Sequence, residues 1–294
     1  MSLLENTALF FTVPIIIGLA YPQLSPLTGA FIIPFFIVAA TLSLTHMKTS
    51  RKDIRRNAPV SLKAVLLSYG LLSSVTIILA YLLLPNTDYF TGFVILAAAP
   101  PAVAVIPFTY LLKGDTKAAL GGELLSYLLA LGFAPLITFV FIGQSVDVFE
   151  IVKTLSLIIL LPLFLSRLLL RHPHYTDRYQ KIIVNFCFGF INYSVIGLNH
   201  EAILMEPLSL APVFAVHLLA VFIPGTLVYF IGRKMNVEKG RCIAYTLFSS
   251  IKNGGMTATL ALILFSPAAS LPGAIHGPFT IAFFLFFEYL LRRC

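Results

Sequence analysis

The chain has 294 residues, of which 59% are hydrophobic and 11% are charged, and its formal net charge is +8. A soluble domain needs a largely polar surface, so this composition excludes a soluble globular protein and indicates a chain that faces lipid. A basic balance can also indicate nucleic acid binding, but here the basic residues lie in short loops between apolar segments. That pattern is how membrane orientation is encoded, and we expect no nucleic acid partner.

Ten apolar segments follow one another along the chain, and a membrane-spanning helix needs about 20 mostly apolar residues. Together they leave short loops and no room for a soluble domain. The sequence therefore predicts an all-α membrane protein with a single transmembrane unit over residues 1–294. Predicted spans 1 to 10 cover residues 7–21, 26–46, 59–84, 90–112, 117–143, 149–170, 180–198, 208–232, 241–265 and 273–291.

The distribution of charge predicts the orientation of these spans. The loops after spans 2, 4, 6 and 8, together with the C-terminus, carry nearly all of the 20 Lys and Arg residues. Because positively charged loops stay on the cytoplasmic side, both termini are predicted to be cytoplasmic. We expect the protein in a prokaryotic cytoplasmic membrane. The three cysteines have no metal-ligand spacing, so we expect neither a metal site nor a cofactor.

Ten spans divide into two halves of five, at about residues 1–145 and 146–294. These halves have opposite orientations in the membrane because five is an odd number, as in the inverted repeats of many transporters. A similar proline step, Val13-Pro14-Ile15 in span 1 and Leu161-Pro162-Leu163 in span 6, supports the repeat. The alternative, that two apolar helices share a proline step by coincidence, stays open.

The fourth span of each half, span 4 and span 9, is predicted to be broken. Span 4 contains Pro100, Pro101 and Pro107, and proline removes a backbone donor and clashes with the preceding turn. Span 9 contains the segment 252–255, Lys-Asn-Gly-Gly, in which a glycine pair favours a break. Breaks in corresponding segments indicate a transport site near the membrane midplane. The alternative is that Pro and Gly are simply frequent in membrane helices.

These two segments resemble those of the bile acid/sodium symporter family. The family's span 4 reads P-G-G-x-x-S-N-x-x-x-Y-L-A-K-G-D, and residues 100–115 read PPAVAVIPFTYLLKGD, with the best match at the end. Its span 9 reads E-V-G-M-Q-N-S-G-L-A, and residues 248–257 read FSSIKNGGMT. The resemblance implies a panel of spans 1, 2, 6 and 7 and a core of spans 3, 4, 5, 8, 9 and 10. Broken helices 4 and 9 would cross in the core, and solute would bind between panel and core by alternating access.

The chain departs from the family at the residues that bind sodium. In the family, oxygen-bearing side chains on spans 4, 5 and 9 bind two sodium ions. Sodium needs several oxygen ligands, so their loss predicts transport that does not depend on sodium. The aligned positions carry Val105, Ile106, Ala119, Glu123, Phe248 and Lys252.

Glu123 and Lys252 are a carboxylate and an ammonium inside predicted spans. Each costs about 2.5–3.5 kcal/mol at the centre of a membrane helix, so such residues persist when they are paired or hydrated and often mark a pathway. We predict that they form a pair in place of sodium, either in proton coupling or as permanent charge compensation. The alternative is a static ion pair that clamps span 5 to span 9.

The break in span 9 predicts where solute binds. The amino end of a half-helix favours an anionic group, so we expect an organic anion there. On span 7, Asn192 and Tyr193 are predicted to line the panel side, with hydrogen bonding between helices as the alternative. The candidate solute-binding residues are Asn253, Gly254, Gly255, Val105, Ile106, Asn192 and Tyr193.

Two histidines lie in predicted spans. His217 in span 8 is more consistent with a hydrogen-bonded core histidine than with a proton relay. His276 lies near the predicted outer end of span 10, where it is expected to be interfacial.

The sequence therefore predicts a secondary transporter, not an enzyme, with the lipid bilayer and a small organic solute as its partners. Four alternatives stay open. They are a sodium-coupled symporter for bile acids or other organic anions, a passive facilitator or channel, an arsenite exporter and an intramembrane enzyme. The absence of cysteine in span 4 speaks against an arsenite exporter, and an enzyme needs paired catalytic groups at one depth.

Overall fold

The computed structural model describes residues 7–45, 51–143, 148–169 and 179–293. Within these ranges it is all-helical, with 87% of residues in helices and no strand. Helices suit an apolar solvent because every internal backbone donor and acceptor is satisfied within the same segment. The chain ends, residues 1 and 294, and the predicted repeat boundary at residues 145 and 146 lie outside the described residues.

Fifteen α-helices follow one another in the described part of the chain, with one π-helical segment at Leu66–Leu72 between α4 and α5. Short 3-10 turns, Pro22–Leu24 and Pro207–Leu210, precede α2 and α12. The α-helices are α1 (Thr7–Ala20), α2 (Ser25–Gly29), α3 (Ile32–Leu44), α4 (Arg51–Val65), α5 (Ser73–Leu83), α6 (Asp88–Ala98), α7 (Val105–Leu111), α8 (Thr116–Ile142), α9 (Val148–Leu169), α10 (Gln180–Leu198), α11 (His200–Met205), α12 (Ala211–Lys234), α13 (Lys239–Phe248), α14 (Gly254–Leu264) and α15 (Pro267–Arg293).

Six helical segments in the described residues are long and apolar enough to cross a membrane, and a seventh results if the bent pair Pro22–Gly29 and Ile32–Leu44 is one span. The bend in that pair is 74°. The other three predicted spans correspond to α1, which has only 14 residues, and to two pairs of shorter helices. The chain is thus an α-helical membrane protein, and the count of ten spans stays a prediction. The six segments are Asn57–Leu83, Thr116–Ile142, Phe149–Leu169, Gln180–Leu198, Pro207–Lys234 and Pro267–Arg293.

Span 4 is interrupted between α6 and α7, as the sequence predicts. Helix α6 ends at Ala98, and Ala99 has an extended backbone with ψ of 150°. The cause is local, because Ala99 precedes Pro100 and proline disfavours the helical conformation in the residue before it. The chain resumes a helix only at Val105.

Span 9 is interrupted between α13 and α14, also as predicted, but for a different reason. Asn253 starts α14 by accepting a hydrogen bond from the Met256 amide with its side chain. Neither Gly254 nor Gly255 has a positive φ, so glycine conformation does not make the break. These glycines permit close packing instead. A Cβ on Gly254 would lie 3.0 Å from the Cβ of His276, and one on Gly255 would lie 2.6 Å from Phe188 Cε1.

In the described part of the chain, buried apolar residues form two main clusters, and each broken span contributes one half to each cluster. The larger cluster includes Phe93 of α6 and Met256 of α14. The other includes Val105 of α7 and Phe248 of α13. The two halves of each broken span thus pack in different clusters, so the two breaks lie between the clusters. Polar groups at the breaks therefore do not have to be buried inside either apolar cluster.

Candidate functional site at two helix breaks

The two helix breaks contact each other directly. The backbone amide of Asn253 donates to the Pro100 carbonyl at 2.9 Å. The side chain of Lys252 reaches the same segment, where its Nζ donates to the Ala97 and Ala99 carbonyls, both at 2.9 Å. The break in span 9 is therefore attached to the end of α6 by main-chain and side-chain bonds.

Lys252 is buried, with 1% of its surface exposed. Its ammonium lies at the carboxyl end of α6, where unpaired carbonyls carry the negative end of the helix dipole. The ring of Tyr69 lies below it, with 4.3 Å between Nζ and the ring centroid, which is a cation–π distance. Two carbonyls and one aromatic face thus replace water around this charge.

Tyr69 belongs to the π-helical segment Leu66–Leu72, and such local widenings of a helix are frequent at functional sites. Its hydroxyl donates to the Ser126 carbonyl on α8 at 3.2 Å. One turn later, Ser73 Oγ donates to the Ala97 carbonyl at 2.6 Å. The π segment therefore places an aromatic face beside the lysine, and the start of α5 places a hydroxyl on one of the carbonyls that the lysine binds. The sequence did not predict Tyr69 or Ser73 as site residues.

Glu123 on α8 is fully buried, and neither carboxylate oxygen has a hydrogen-bond partner among the described residues. It is close enough to Lys252 for an electrostatic interaction. The structure thus places the two predicted charges in one buried region but does not join them by a direct hydrogen bond.

Two buried hydroxyl groups, on α8 and on the π-helical segment, are also unpaired among the described residues. Ser126 lies one turn after Glu123, and Ser68 lies beside Tyr69. In the described residues neither hydroxyl has a partner. An unpaired buried polar group costs about 1–3 kcal/mol, so natural proteins keep such groups mostly where they serve a further purpose. Glu123 and Ser126 thus place unpaired polar groups on one turn of α8.

Asn253 is fully engaged by the fold. Its Oδ1 accepts from the Met256 amide at 3.0 Å, and its Nδ2 donates to the Tyr127 hydroxyl at 2.8 Å. Its side chain therefore fixes the amino end of α14 against α8. The backbone of Gly254 packs on α15, and Gly255 lies under the ring of Phe188.

Val105 and Ile106 begin α7 directly after the first break, and both are buried. Val105 packs in the cluster that contains α13. Ile106 forms a small cluster with Leu44 of α3, and Leu163 of α9 packs against it. Ile106 therefore lies where α7 meets the predicted panel helices.

The structure separates the two candidates on α10. Asn192 is buried, and its Nδ2 has no partner among the described residues. Tyr193 is half-buried, and its hydroxyl donates to the Tyr21 carbonyl, after the end of α1, at 2.9 Å. Asn192 thus keeps a free donor, whereas Tyr193 joins α10 to α1.

The two histidines differ from each other in their roles. His217 is buried as predicted, with Nδ1 3.0 Å from the Val213 carbonyl and Nε2 2.9 Å from the Pro272 carbonyl. The interfacial position expected for His276 is wrong, because His276 is only 3% exposed and its Nε2 accepts from the Lys252 amide at 3.1 Å. The reason is that α15 begins at Pro267 and not at residue 273, so His276 lies deeper in the protein than expected.

Long apolar helices around a buried polar centre define an integral membrane protein. The sequence matches the SBF-like CPA transporter family, which is bile acid/sodium symporter-like, over residues 13–281. The chain therefore belongs to this family of membrane transporters, and the family implies a small-molecule substrate. No curated protein sequence shows significant similarity to the chain.

Proposed function

We propose that the chain is a secondary transporter of a small organic anion that works by alternating access and does not depend on sodium. In this proposal ten spans form two inverted repeats, with α1–α3, α9 and α10 as the panel and α4–α8 and α12–α15 as the core. The two observed interruptions support it, because they fall in the fourth predicted span of each half.

The observation that carries the proposal is the position of Lys252. Its ammonium donates to the Ala97 and Ala99 carbonyls beside the break, which are the type of oxygen ligand that a bound cation would use. Aligned positions that supply oxygen ligands in the symporter family carry buried apolar side chains here, among them Val105, Ala119 and Phe248. A permanent ammonium therefore takes the role of the sodium charge.

Glu123 gives the proposal its coupling mechanism. A buried carboxylate without hydrogen bonds can bind and release a proton with little rearrangement of its neighbours, whereas a static clamp would need a direct bond to Lys252. The unpaired carboxylate supports proton coupling over the clamp. In proteoliposomes, an inward proton gradient is expected to accelerate solute uptake by the wild type and not by Glu123→Gln. An unchanged response in Glu123→Gln would remove Glu123 from the coupling mechanism.

The anionic nature of the solute follows from α14. The amino end of this helix carries the positive end of the helix dipole, which favours an anionic group. On the opposite side, Asn192 offers a buried amide donor that has no partner among the described residues. A carboxylate between α14 and α10 would interact with the helix dipole on one side and accept a hydrogen bond from Asn192 on the other.

Thermal unfolding of the purified protein tests the proposal. Each carboxylate in a series from acetate to cholate is compared with the alcohol that has the same carbon skeleton. The unfolding temperature is measured in potassium buffer and in sodium buffer. We expect at least one carboxylate, and not its alcohol, to raise the unfolding temperature equally in both buffers. Stabilisation that appears only in sodium would favour the sodium-coupled alternative, and stabilisation by alcohols alone would overturn the anion specificity.

A further inference from the structure

Helix α10 presents one face to the core helices. Phe188, Asn192, Val195 and Asn199 follow one another at intervals of four, three and four residues, which places them along a single helical stripe. The two ends of this stripe contact the core at two separate points. The stripe is therefore the surface through which α10 closes on α14 and α15.

Phe188 forms the first contact point. Its ring lies against the backbone of Gly255, so closely that a Cβ on Gly255 would be 2.6 Å from Phe188 Cε1. Gly255 is in the first turn of α14, next to the Asn253 cap. The ring therefore covers the first turn of α14 on the side that faces α10.

Asn199 forms the second contact point, about 16 Å farther along α10 by the rise of 1.5 Å per residue. Its Nδ2 donates to the Val195 carbonyl at 2.7 Å and to the Pro267 carbonyl at 2.9 Å. Pro267 begins α15, and the preceding residue, Ser266, donates to Asp88 Oδ2 at the start of α6. Asn199 thus attaches α10 to a point where two core helices are already joined.

Asn192 lies between the two contact points. It is 5% exposed, and its Nδ2 has no partner among the described residues. Such a buried donor would gain a partner from a solute group that enters between the helices.

We propose that α10 is a gate, in which Phe188 is a lid over the amino end of α14 and Asn199 is the latch that holds the lid closed. When the latch opens, the ring leaves Gly255, and an anionic group binds between the amino end of α14 and Asn192. The identity of the solute rests on the proposed function, whereas the lid and the latch rest on the contacts of α10.

Cysteine accessibility tests the gate without a transport substrate. Asn192→Cys is made in a chain whose native cysteines, Cys187, Cys242 and Cys294, are replaced by alanine. The rate of modification by 2-sulfonatoethyl methanethiosulfonate, a small organic anion, is then measured on the purified protein. Phe188→Ala and Asn199→Ala are each expected to raise that rate by about tenfold, the effect of losing one net hydrogen bond or a comparable contact.

Phe186→Ala is the matched control, because Phe186 is on the same helix, two residues from Phe188, and 55% exposed. It is expected to leave the rate unchanged. If Asn192→Cys lowers the unfolding temperature, Val195→Cys replaces it as the reporter on the same stripe. The gate would be overturned if Phe188→Ala and Asn199→Ala leave the modification rate unchanged, or if Phe186→Ala raises it as much as they do. Failure of every carboxylate to stabilise the protein would instead overturn the proposed function and leave the gate standing.

Discussion

Replacing Lys252 by methionine tests how much the buried ammonium stabilises the contact between the two helix breaks. Methionine keeps most of the side-chain stem and removes the donors to the Ala97 and Ala99 carbonyls. Ala97 keeps the hydrogen bond from Ser73, but Ala99 loses the donor from Lys252. An orphaned buried carbonyl costs about 1–3 kcal/mol, and removing one charge of a buried pair costs about 3–5 kcal/mol in all. We expect Lys252→Met to destabilise the protein by about 3–5 kcal/mol.

Glu123→Gln should cost less than Lys252→Met. The Glu123 carboxylate accepts no hydrogen bond from the described residues, so the substitution removes only its electrostatic interaction with Lys252. Because both variants remove that interaction, the double variant should be less destabilised than the sum of the two by about 1 kcal/mol or more. The double variant does not recover fully, since the Ala99 carbonyl still lacks the Lys252 donor.

Equilibrium unfolding in detergent, with increasing dodecyl sulfate, measures these free energies. Lys153→Met is the matched control, because Lys153 is exposed and its bond to Glu150 is a surface ion pair. Lys153→Met should change the free energy of unfolding by no more than about 0.5 kcal/mol. The reasoning is refuted if Lys252→Met is no more harmful than Lys153→Met, or if the losses from Lys252→Met and Glu123→Gln add without any coupling.

Three further predictions concern the break in span 9 and sodium. Gly255→Val should lower the unfolding temperature because the new side chain would clash with Phe188. Gly132→Ala should leave the unfolding temperature unchanged because the space around Gly132 is open, and equal effects of the two substitutions would contradict this packing. Asn253→Ala should cost about 1–2 kcal/mol or more through loss of the helix cap, and Asn253→Asp, which keeps the cap acceptor, should recover part of it in the same unfolding experiment. Replacing potassium chloride by sodium chloride at equal ionic strength should leave the unfolding temperature unchanged, and saturable stabilisation by millimolar sodium would show that ligands for it exist.

Local chemistry made several features of the fold predictable from the sequence. The interruption after Ala99 follows from Pro100, and the start of α14 follows from the capping ability of Asn253. The match between predicted span 7 and α10, both at residues 180–198, reflects a continuous apolar run without internal proline. These features depend on a few neighbouring residues, so they can be predicted without knowledge of the tertiary packing.

Other features depend on contacts between distant segments and could not be predicted in this way. Pro272 and Pro278 lie inside α15, so a reading that treats proline as a boundary starts the helix too late and misplaces His276. Nothing in the spacing around Tyr69 indicates a π-helical segment under the Lys252 ammonium. The lid formed by Phe188 is visible only when α10 and α14 are seen together, although the glycine that receives it is evident in the sequence.

The most direct test of the account is the sodium dependence of uptake into proteoliposomes. The solute is the radiolabelled carboxylate that stabilises the purified protein most, and the initial rate is compared in potassium and in sodium at equal ionic strength. We predict equal rates for the wild type in the two salts and a large loss of uptake in Lys252→Met in both. Uptake that requires an inward sodium gradient, or full activity of Lys252→Met without sodium, would contradict the claim that Lys252 takes the role of the coupling cation.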